Sequence, residues 1–364
     1  MKNQTPIFTS RILLIAFLFS SVFLSRAQNR PQEPKAPFSY QSEEVEFTNN
    51  NDGIKLAGTF TYPSEGENFP AAVLISGSGA QDRNSELLMH KPFLVIADYL
   101  TKNGIAVLRV DDRGIGKSEG DYSLASLNDF VEDNKAALAY LRTRKEVNVN
   151  KIGVAGHSLG GVIAPIIASE DKELNFIILL AGTGMRGDQL MLLQKKLIEE
   201  KMGVSAVVVE NGQKDIGGAY EIILASKEYS PKVEKKLKKH FKETMGNQLS
   251  SEMIGAIAHQ LSYPWLFDFI RFNPATALRI TDCAVLALNG DKDVQVPADE
   301  NLKIIEESLK EGGNQNVSIQ KIEGLNHLFQ ECKTGLPQEY GMIEQTFSPE
   351  VLEIMKDWIL EQTK

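Results

Sequence analysis

The sequence predicts an α/β fold in which a mostly parallel, eight-stranded sheet carries helices on both faces and a helical cap insertion. Short apolar runs rich in valine, isoleucine, leucine and alanine recur along the chain. Stretches with the apolar spacing of amphipathic helices separate these runs, and this alternation is typical of a buried parallel sheet. Residues 185–275 depart from the alternation because their pattern is helical and rich in lysine.

Composition and charge limit the classes of protein to which this chain can belong. With 42% hydrophobic and 24% charged residues, the chain matches ordinary globular proteins, which excludes disordered and fibrous classes. Its formal net charge of −9 gives no electrostatic footprint for nucleic acid, so we expect no nucleic-acid partner. Cys283 and Cys332 match no zinc spacing, and either one disulfide or two free thiols is compatible with the sequence.

Residues 1–27 have the pattern of a secretory signal peptide. Lys2 and Arg11 precede the apolar run Ile12–Leu24, and small residues end the segment at Ala27. As a helix the run would span about 20 Å, whereas the hydrocarbon core of a bilayer is about 30 Å thick. We therefore expect cleavage and export to a bacterial periplasm or the medium, with no stable membrane anchor; the alternative is an uncleaved anchor.

The elements follow in chain order after a predicted linker at 28–42, which holds three prolines and little apolar surface. The strand candidates are Glu43–Thr48, Ile54–Tyr62, Ala71–Ser76, Ile105–Val110, Lys151–Ala155, Phe176–Ala181, Ala284–Asn289 and Val317–Ile322. The helix candidates are Pro92–Lys102, Ser126–Arg144, Leu159–Ala168, Ala298–Glu311 and Pro349–Glu361. The sheet-bearing core is accordingly expected in two parts, residues 43–184 and 276–364.

The insertion at 185–275 contains two lysine-rich runs, at 195–201 and 232–243, and an aromatic cluster around Trp265. The only strand-like stretch within it is the short Ala206–Val209. We interpret the segment as a helical cap over the sheet, and its lysine runs as solvated helix faces.

The stretch Gly156–Gly160 (GHSLG) matches the G-x-S-x-G pattern of a nucleophilic serine. A predicted strand precedes it and a predicted helix follows it, which is the context that the motif requires. The sharp turn between them raises the hydroxyl above the sheet, at a helix N-terminus that stabilises developing negative charge. We predict Ser158 as the nucleophile.

A serine nucleophile needs a base, usually a histidine that a carboxylate orients. The chain has five histidines, namely His90, His157, His240, His259 and His327. His327 follows the last predicted strand, in a turn that returns the ring to the carboxyl edge of the sheet where Ser158 stands. We predict His327 as the base; the alternative is an ordinary histidine of a surface loop.

The carboxylate is expected between Ser158 and His327, in the loop after the penultimate strand. That loop holds Asp291 and Asp293. We predict Asp293 as the acid, because Asp291 directly follows the strand and suits a turn-capping role; Asp291 is the alternative. The order serine, aspartate, histidine differs from the order in other serine-hydrolase folds.

An oxyanion hole needs two backbone N–H groups. Leu159, directly after the nucleophile, is the first candidate. The second is expected in the loop Ser76–Gly79 (SGSG), where small residues let the backbone approach a substrate. We predict Ser78, with Gly77 as an alternative donor and a plain glycine-rich turn as the alternative without function.

Six stretches resemble the α/β-hydrolase superfamily: LISGSGAQDRN at 74–84, HKPF at 90–93, VLRVDDRGIGKSEG at 107–120, GVAGHSLGG at 153–161, LALNGDKDVQVP at 286–297 and GLNHLFQ at 324–330. From about residue 44 onward the chain resembles exported bacterial serine esterases related to the prolyl-oligopeptidase and serine-aminopeptidase branch. The resemblance implies an α/β-hydrolase fold and a catalytic triad at Ser158, Asp293 and His327. The chain departs from lipase-like members at its oxyanion loop, which is not of the His-Gly type.

One further stretch resembles a phosphate-binding motif but lacks a residue that the motif requires. Ile115–Ser118 (IGKS) resembles the end of a phosphate-binding loop, but the position of the required first glycine is Asp111. Asp111, Asp112 and Arg113 are instead expected to form an ion-paired loop that holds the oxyanion region. No histidine–carboxylate spacing suggests a metal, and no cofactor is expected.

From these residues we predict an enzyme that hydrolyses a small-molecule carboxylic ester through an acyl-enzyme. Trp265, Phe267 and Met191 are candidate pocket residues that would favour small to medium apolar acyl groups, and they fit the interior of the cap equally well. A peptidase or amidase with the same triad is the alternative. A non-catalytic binding protein is a more distant alternative, because a protein that only binds its ligand does not need all three residues of a triad.

Overall fold

The protein is described by a computed structural model that covers residues 29–364. The predicted signal peptide at 1–27 lies outside these residues. Within them, eight strands form one sheet: β1 (Tyr40–Asn49), β2 (Ile54–Pro63), β3 (Phe69–Ile75), β4 (Ala106–Val110), β5 (Val147–His157), β6 (Phe176–Leu180), β7 (Ala284–Gly290) and β8 (Val317–Ile322).

The strand order in the sheet is β1-β2-β4-β3-β5-β6-β7-β8. Strand β2 pairs antiparallel with β1 and β4, and all other neighbours pair in parallel, which confirms the predicted mostly parallel sheet. Strands β3 and β5 are neighbours, with Ile75 paired to Gly156. The loops that follow these two strands therefore meet at the carboxyl edge of the sheet.

Helices cover both faces of the sheet, as expected for buried parallel strands. The helices that pack on the sheet are α1 (Pro92–Lys102), α2 (Leu127–Arg142), α3 (Gly160–Glu170), α10 (Ala298–Glu311) and α11 (Pro349–Gln362). The first and last of these contribute to one buried apolar cluster, and the other three contribute to a second cluster on the opposite face. Strands β6 and β7 are consequently buried throughout.

Six helices lie between β6 and β7, where the helical insertion is predicted. They are α4 (Gly187–Lys201), α5 (Ala206–Leu224), α6 (Pro231–Met245), α7 (Ser251–Gln260), α8 (Pro264–Arg271) and α9 (Ala275–Leu278). Helix α8 joins the insertion to the core, because the Trp265 N–H donates to the Ala125 carbonyl at 2.9 Å. No helix within residues 29–364 combines the length and the apolar character that crossing a membrane requires.

The one strand-like stretch of the insertion, Ala206–Val209, is the first turn of helix α5. Three valines give this stretch its strand-like pattern, but the buried residues of the helix follow helical spacing at Val209, Ile216, Tyr220 and Ile223. Burial of this face outweighs the weak strand preference of the valines.

Helix α6 shows why the lysine-rich run at 232–243 is a solvated face. Its buried side chains are Val233, Leu237, Phe241 and Met245, at intervals of one helical turn, and the lysines between them are exposed. Burial of each such apolar side chain contributes about 1.5–3 kcal/mol. The lysines therefore keep the outer face in water and require no ligand to explain them.

The segment predicted as a linker, residues 28–42, is packed against the core over its described part. Strand β1 already begins at Tyr40, and the Arg30 guanidinium donates to the carbonyls of Leu88 and Ile343 at 3.0 and 2.7 Å. Its prolines exclude regular pairing but leave the polar side chains free to bind neighbouring backbone. The segment is therefore an N-terminal arm and not a free linker.

Candidate active site

Ser158 lies in the sharp turn between β5 and α3, with a backbone φ of 55°. This left-handed conformation costs a non-glycine residue about 1–3 kcal/mol, so the surrounding structure must hold it. The Ser158 N–H donates to the Leu180 carbonyl at 2.9 Å. Both flanking glycines are required, since a Cβ at Gly156 would lie 2.1 Å from the Gly160 carbonyl oxygen, and one at Gly160 would lie 2.3 Å from the carbonyl oxygen of Ile75.

Two cavities meet at Ser158, and four residues line both of them: Ser78, Ser158, Gln295 and His327. The smaller one, about 70 Å³, is here called the cap-side cavity because Met191 and Trp265 of the insertion line it. The larger one, about 330 Å³, is called the core-side cavity, and it is lined by the loop at 77–87, helix α1 and the segment 340–347. The hydroxyl of Ser158 therefore stands between two compartments of very different size.

His327 and Asp293 are in direct contact beside these cavities. Nδ1 of His327 and Oδ2 of Asp293 lie 2.7 Å apart, and the two side chains are 6% and 0% exposed. The other carboxylate oxygen of Asp293 accepts the N–H groups of Gln295 and Val296 at 2.8 and 2.9 Å. The aspartate therefore fixes the ring through Nδ1 and leaves Nε2 for a hydroxyl.

Asp291, the alternative acid, has a different role in the structure. Its Oδ1 accepts the N–H of Gly324 at 2.6 Å, and no hydrogen bond joins it to His327 within the described chain. This contact fixes the turn after β8, from which the chain continues to His327. Asp291 therefore supports the loop, whereas Asp293 touches the ring.

His157, the variable residue within the serine motif, supports the backbone of His327. Its Nε2 lies 2.9 Å from the His327 carbonyl oxygen, and the two rings are 4.8 Å apart. Desolvation and the neighbouring His327 lower the pKa of His157 to about 3, so the ring is neutral and donates its Nε2–H. Sequence reasoning missed this role because the contact joins residues that are far apart in the chain.

The predicted oxyanion donors lie beside the nucleophile. The N–H groups of Leu159 and Ser78 donate to no protein acceptor within residues 29–364, and both residues line the cap-side cavity with Ser158. A Cβ at Gly77 would lie 3.3 Å from the Cβ of Ser158, so this glycine lets the loop approach the nucleophile closely. The arrangement provides two backbone donors where negative charge would develop.

Asp112 holds the loop that carries Ser78. Its carboxylate accepts the Ser76 hydroxyl at 2.7 Å and the Gln81 N–H at 2.9 Å, so it ties both ends of the loop together. The loop is further held by the Tyr122 hydroxyl, which accepts the Gly79 N–H at 2.9 Å. Asp112 therefore holds the loop of Ser78, the second predicted oxyanion donor.

Two of the three residues expected to form an ion-paired loop, Asp111 and Arg113, are ion-paired. Asp111 pairs with Arg83 at 2.7 Å, and Arg113 pairs with Asp133 at 2.7 Å. These partners come from distant parts of the chain, so their pairing was invisible in the local sequence. Asp112 itself has no basic partner within the described residues.

We expect Asp112→Asn to change how stability depends on pH. Desolvation and the nearby carboxylates of Asp133 and Asp111 raise the pKa of Asp112 to about 7. Between the unfolded carboxyl pKa of about 4 and this value, the folded protein binds a proton that the unfolded chain has lost, so stability falls as pH rises. The variant lacks this pH-dependent loss, so its unfolding free energy relative to that of wild type should rise by about 4 kcal/mol from pH 4 to pH 8. Denaturant unfolding at each pH measures this difference; a pH-independent difference would contradict the shifted pKa.

Two of the three predicted pocket residues, Trp265 and Met191, line the cap-side cavity, and Phe267 lines neither cavity. Phe267 is 1% exposed, with its ring centroid 6.5 Å from that of Tyr229 and the Arg271 guanidinium 5.1 Å above it. Residues two positions apart on a helix face directions about 200° apart, so Phe267 turns away when Trp265 faces the site. Phe267 therefore belongs to the cap interior, which corrects its predicted place. The cavity residues that the sequence analysis missed include Leu190, Leu266 and Phe269.

Both cysteines, Cys283 and Cys332, are free thiols. Burial is the main cause that raises the pKa of each, to about 12 and about 11, so neither thiol is activated as a nucleophile. Within residues 29–364, no cluster of histidine, cysteine, aspartate and glutamate side chains is arranged to hold a metal ion.

A mostly parallel sheet with a nucleophile turn after β5, an acidic loop after β7 and a histidine loop after β8 is the arrangement of the α/β-hydrolase superfamily. This chain belongs to that superfamily, which confirms the predicted resemblance. More narrowly, the family model described as serine aminopeptidase, S33, matches residues 91–330, more than half of the chain. The chain therefore belongs to this family.

Known proteins that are similar to the chain include esterases. Esterase EstD of Thermotoga maritima is 28% identical over 287 residues, which cover 79% of this chain and 60% of EstD. The chain thus spans less than two thirds of the length of that relative. The structure of Pyrococcus furiosus esterase Pf2001 matches with a TM-score of 0.52 and 18% identity, over 92% of this chain and 99% of that one. The α/β-hydrolase GrgF from Penicillium sp. sh18 matches with a TM-score of 0.54 and 19% identity, over 88% and 99% of the two chains. At these identities the two structures show the fold.

Proposed function

We propose that this chain is a serine hydrolase that cleaves carboxylic esters with small to medium acyl groups. The observation that carries the proposal is the 2.7 Å contact between His327 Nδ1 and Asp293 Oδ2 beside the strained turn of Ser158. The similarity to a protein named esterase EstD favours esters among the substrates of a serine hydrolase. The pattern of residues 1–27 favours export to the periplasm or the medium, which N-terminal sequencing of the periplasmic protein tests.

In the proposed reaction, Ser158 Oγ attacks the ester carbonyl carbon while His327 Nε2 takes the hydroxyl proton. Asp293 holds the ring and stabilises the imidazolium that forms. The N–H groups of Leu159 and Ser78 stabilise the tetrahedral oxyanion, each by about 3 kcal/mol. When this intermediate collapses, the alcohol oxygen takes the proton from His327 and leaves an acyl group on Ser158.

Water completes the cycle by attacking the acyl-enzyme, with His327 again taking a proton and then returning it to Ser158 Oγ. The neutral state of His157 favours both halves of the reaction. A positive charge on a ring 4.8 Å from that of His327 would oppose the imidazolium, and the lowered pKa of His157 prevents this at neutral pH.

The cap-side cavity is the proposed acyl site. Its volume of about 70 Å³ is less than half of the roughly 150 Å³ that accommodate benzene in a protein interior. The apolar side chains of Met191, Trp265 and Phe269 line it, together with both predicted oxyanion donors. A chain of a few carbons fits this size, and longer chains require displacement of the cap.

We expect Met191→Ala to shift the acyl preference toward longer chains. The truncation enlarges the cap-side cavity, and each methylene accepted in an apolar pocket is worth about 1–3 kcal/mol. The ratio of kcat/KM for p-nitrophenyl butyrate to that for the acetate should rise about tenfold. Met202→Ala is the matched control, because this exposed methionine ends the same helix outside the cavity. An equal ratio in wild type and Met191→Ala would contradict the acyl assignment.

A peptidase is the second candidate, because the family description names an aminopeptidase. Such an enzyme needs an acidic group for the ammonium of its substrate, and Glu86 is the only carboxylate side chain lining either cavity in the described chain. Turnover of aminoacyl p-nitroanilides and of p-nitrophenyl acetate by the same preparation separates the two activities. Faster turnover of the anilides would replace the ester proposal with the peptidase.

A further inference from the structure

The core-side cavity has no assigned ligand. Its volume of about 330 Å³ is roughly twice what benzene requires, and no residue of the six insertion helices lines it. It meets the proposed acyl site at Ser158 and shares only four lining residues with it, so it is the space beside the nucleophile that the acyl group does not occupy. The size of the cavity admits a six-membered ring with several substituents.

One wall of the core-side cavity presents polar groups with no protein partner. The side chains of Ser78, Gln81 and Ser85 make no hydrogen bond within residues 29–364, although all three line the cavity. Ser85 is only 9% exposed and has a left-handed φ of 52°, so the loop holds this residue in a strained conformation beside the cavity. None of these side chains is engaged by a protein partner, so a ligand in the cavity can form hydrogen bonds with all three of them.

The other wall is apolar. Phe93 and Ile96 of helix α1 line it together with Leu180 and Phe347, and all four residues are at most 4% exposed. A ligand that fits both walls has hydrogen-bonding groups along one edge and an apolar face. Neutral ring polyols, such as a single sugar unit, have this combination.

The walls are fixed before any ligand binds. His90 lies 3.0 Å from both the Thr346 hydroxyl and the Tyr340 carbonyl oxygen, which ties the end of the loop at 77–90 to the segment 340–347. The Arg30 side chain of the N-terminal arm bridges the same two segments, through the carbonyls of Leu88 and Ile343. A preformed cavity loses little free energy to ordering when it binds its ligand.

We infer that the core-side cavity binds the alcohol portion of the ester, and that this alcohol is a neutral ring polyol of about one sugar unit. The inference rests on the proposed ester hydrolysis, in which the acyl group occupies the cap-side cavity. The alcohol oxygen then takes its proton from His327 at the junction of the two cavities. Glu86 at the lining disfavours anionic alcohols such as sugar phosphates.

The test compares acetate esters that differ only in their alcohol. With acetate release as the readout, kcat/KM for a monoacetylated hexose should exceed that for ethyl acetate at least tenfold, and a phosphate on the sugar should remove this advantage. Gln81→Ala and Ser85→Ala should each lower the ratio of the two kcat/KM values about tenfold, the effect of one lost hydrogen bond to the substrate. Ser169→Ala, on helix α3 outside both cavities, is the control and should keep the wild-type ratio.

The outcomes separate this inference from the proposed function. Hydrolysis of ethyl acetate without preference for the sugar ester would overturn the inference and leave the esterase proposal standing. If Gln81→Ala and Ser85→Ala changed selectivity for acyl length and not for the alcohol, the two cavities would have the opposite roles and the inference would be wrong. Hydrolysis of neither ester would contradict the proposed function itself.

Discussion

Replacement of Ser158 by alanine is expected to lower kcat for p-nitrophenyl acetate by about 10⁶-fold, as loss of the nucleophile does in other serine hydrolases. The fold should persist, because alanine is smaller than serine and the turn is held by the Ser158 N–H bond to Leu180, which alanine retains. The residual rate would come from binding and from the N–H groups of Leu159 and Ser78. Stopped assays at high enzyme concentration measure the loss, and a fluorophosphonate probe should label wild type only.

The matched control is Ser169→Ala, near the end of the helix that Ser158 precedes. Among residues 29–364, the Ser169 hydroxyl bonds only to the Ile166 carbonyl of its own helix, so we expect wild-type turnover and full labelling. If Ser158→Ala kept more than about a thousandth of wild-type turnover, Ser158 would not be the nucleophile. Labelling of the alanine variant would lead to the same conclusion, and an unlabelled wild type would favour the binding-protein alternative.

Asp293→Asn is expected to lower kcat by about 10⁴-fold, the effect of the same change in a well-studied serine protease triad. Asparagine keeps the shape but carries no charge to stabilise the imidazolium of His327, and its amide favours the wrong tautomer of the ring. Asp291→Asn should stay within a few-fold of wild type, because Asp291 bonds to the Gly324 N–H and not to the ring.

The two asparagine variants form a pair, since they change the same charge two residues apart. Measuring kcat for both at saturating p-nitrophenyl acetate, with melting temperatures for each, separates catalysis from folding. A larger loss in Asp291→Asn than in Asp293→Asn would move the acid to Asp291. Equal and small losses in both would show that His327 works without either carboxylate.

Where the local sequence pattern is strong, the predicted ends of helices and strands agree with the structure to the residue or within a few residues. Helices Pro92–Lys102 and Ala298–Glu311 match their predicted ends, since a proline stands at the start of each and a glycine or asparagine follows. Each of the eight strand candidates corresponds to a strand of the sheet, and the continuous apolar runs of β3, β4, β6 and β7 are typical of buried parallel strands. The first part of strand β5 was not predicted, because Asn148 and Asn150 are polar and the valine between them is exposed.

The parts of the site that escaped prediction depend on contacts between distant segments. Nothing near Asp112 shows that its carboxylate ties together the loop after β3, and nothing near His157 shows its bond to the carbonyl of His327. The core-side cavity could not be predicted for the same reason, because its walls come from the loop after β3, helix α1 and a segment near residue 345. Local patterns identify the reacting groups, whereas the shape around them arises only when the chain folds.

The two compartments share only four lining residues, and this separation has an evolutionary consequence. With the proposed roles of the two cavities, changes in the insertion helices can alter which acid is accepted, and changes at residues 81–87 can alter which alcohol is accepted. Neither set of positions includes the triad or the predicted oxyanion donors. Because effects at distant, independent sites usually add, such changes can be combined freely. A duplicated copy of this chain could therefore acquire a new pairing of acid and alcohol in two separate steps, each of them retaining catalysis.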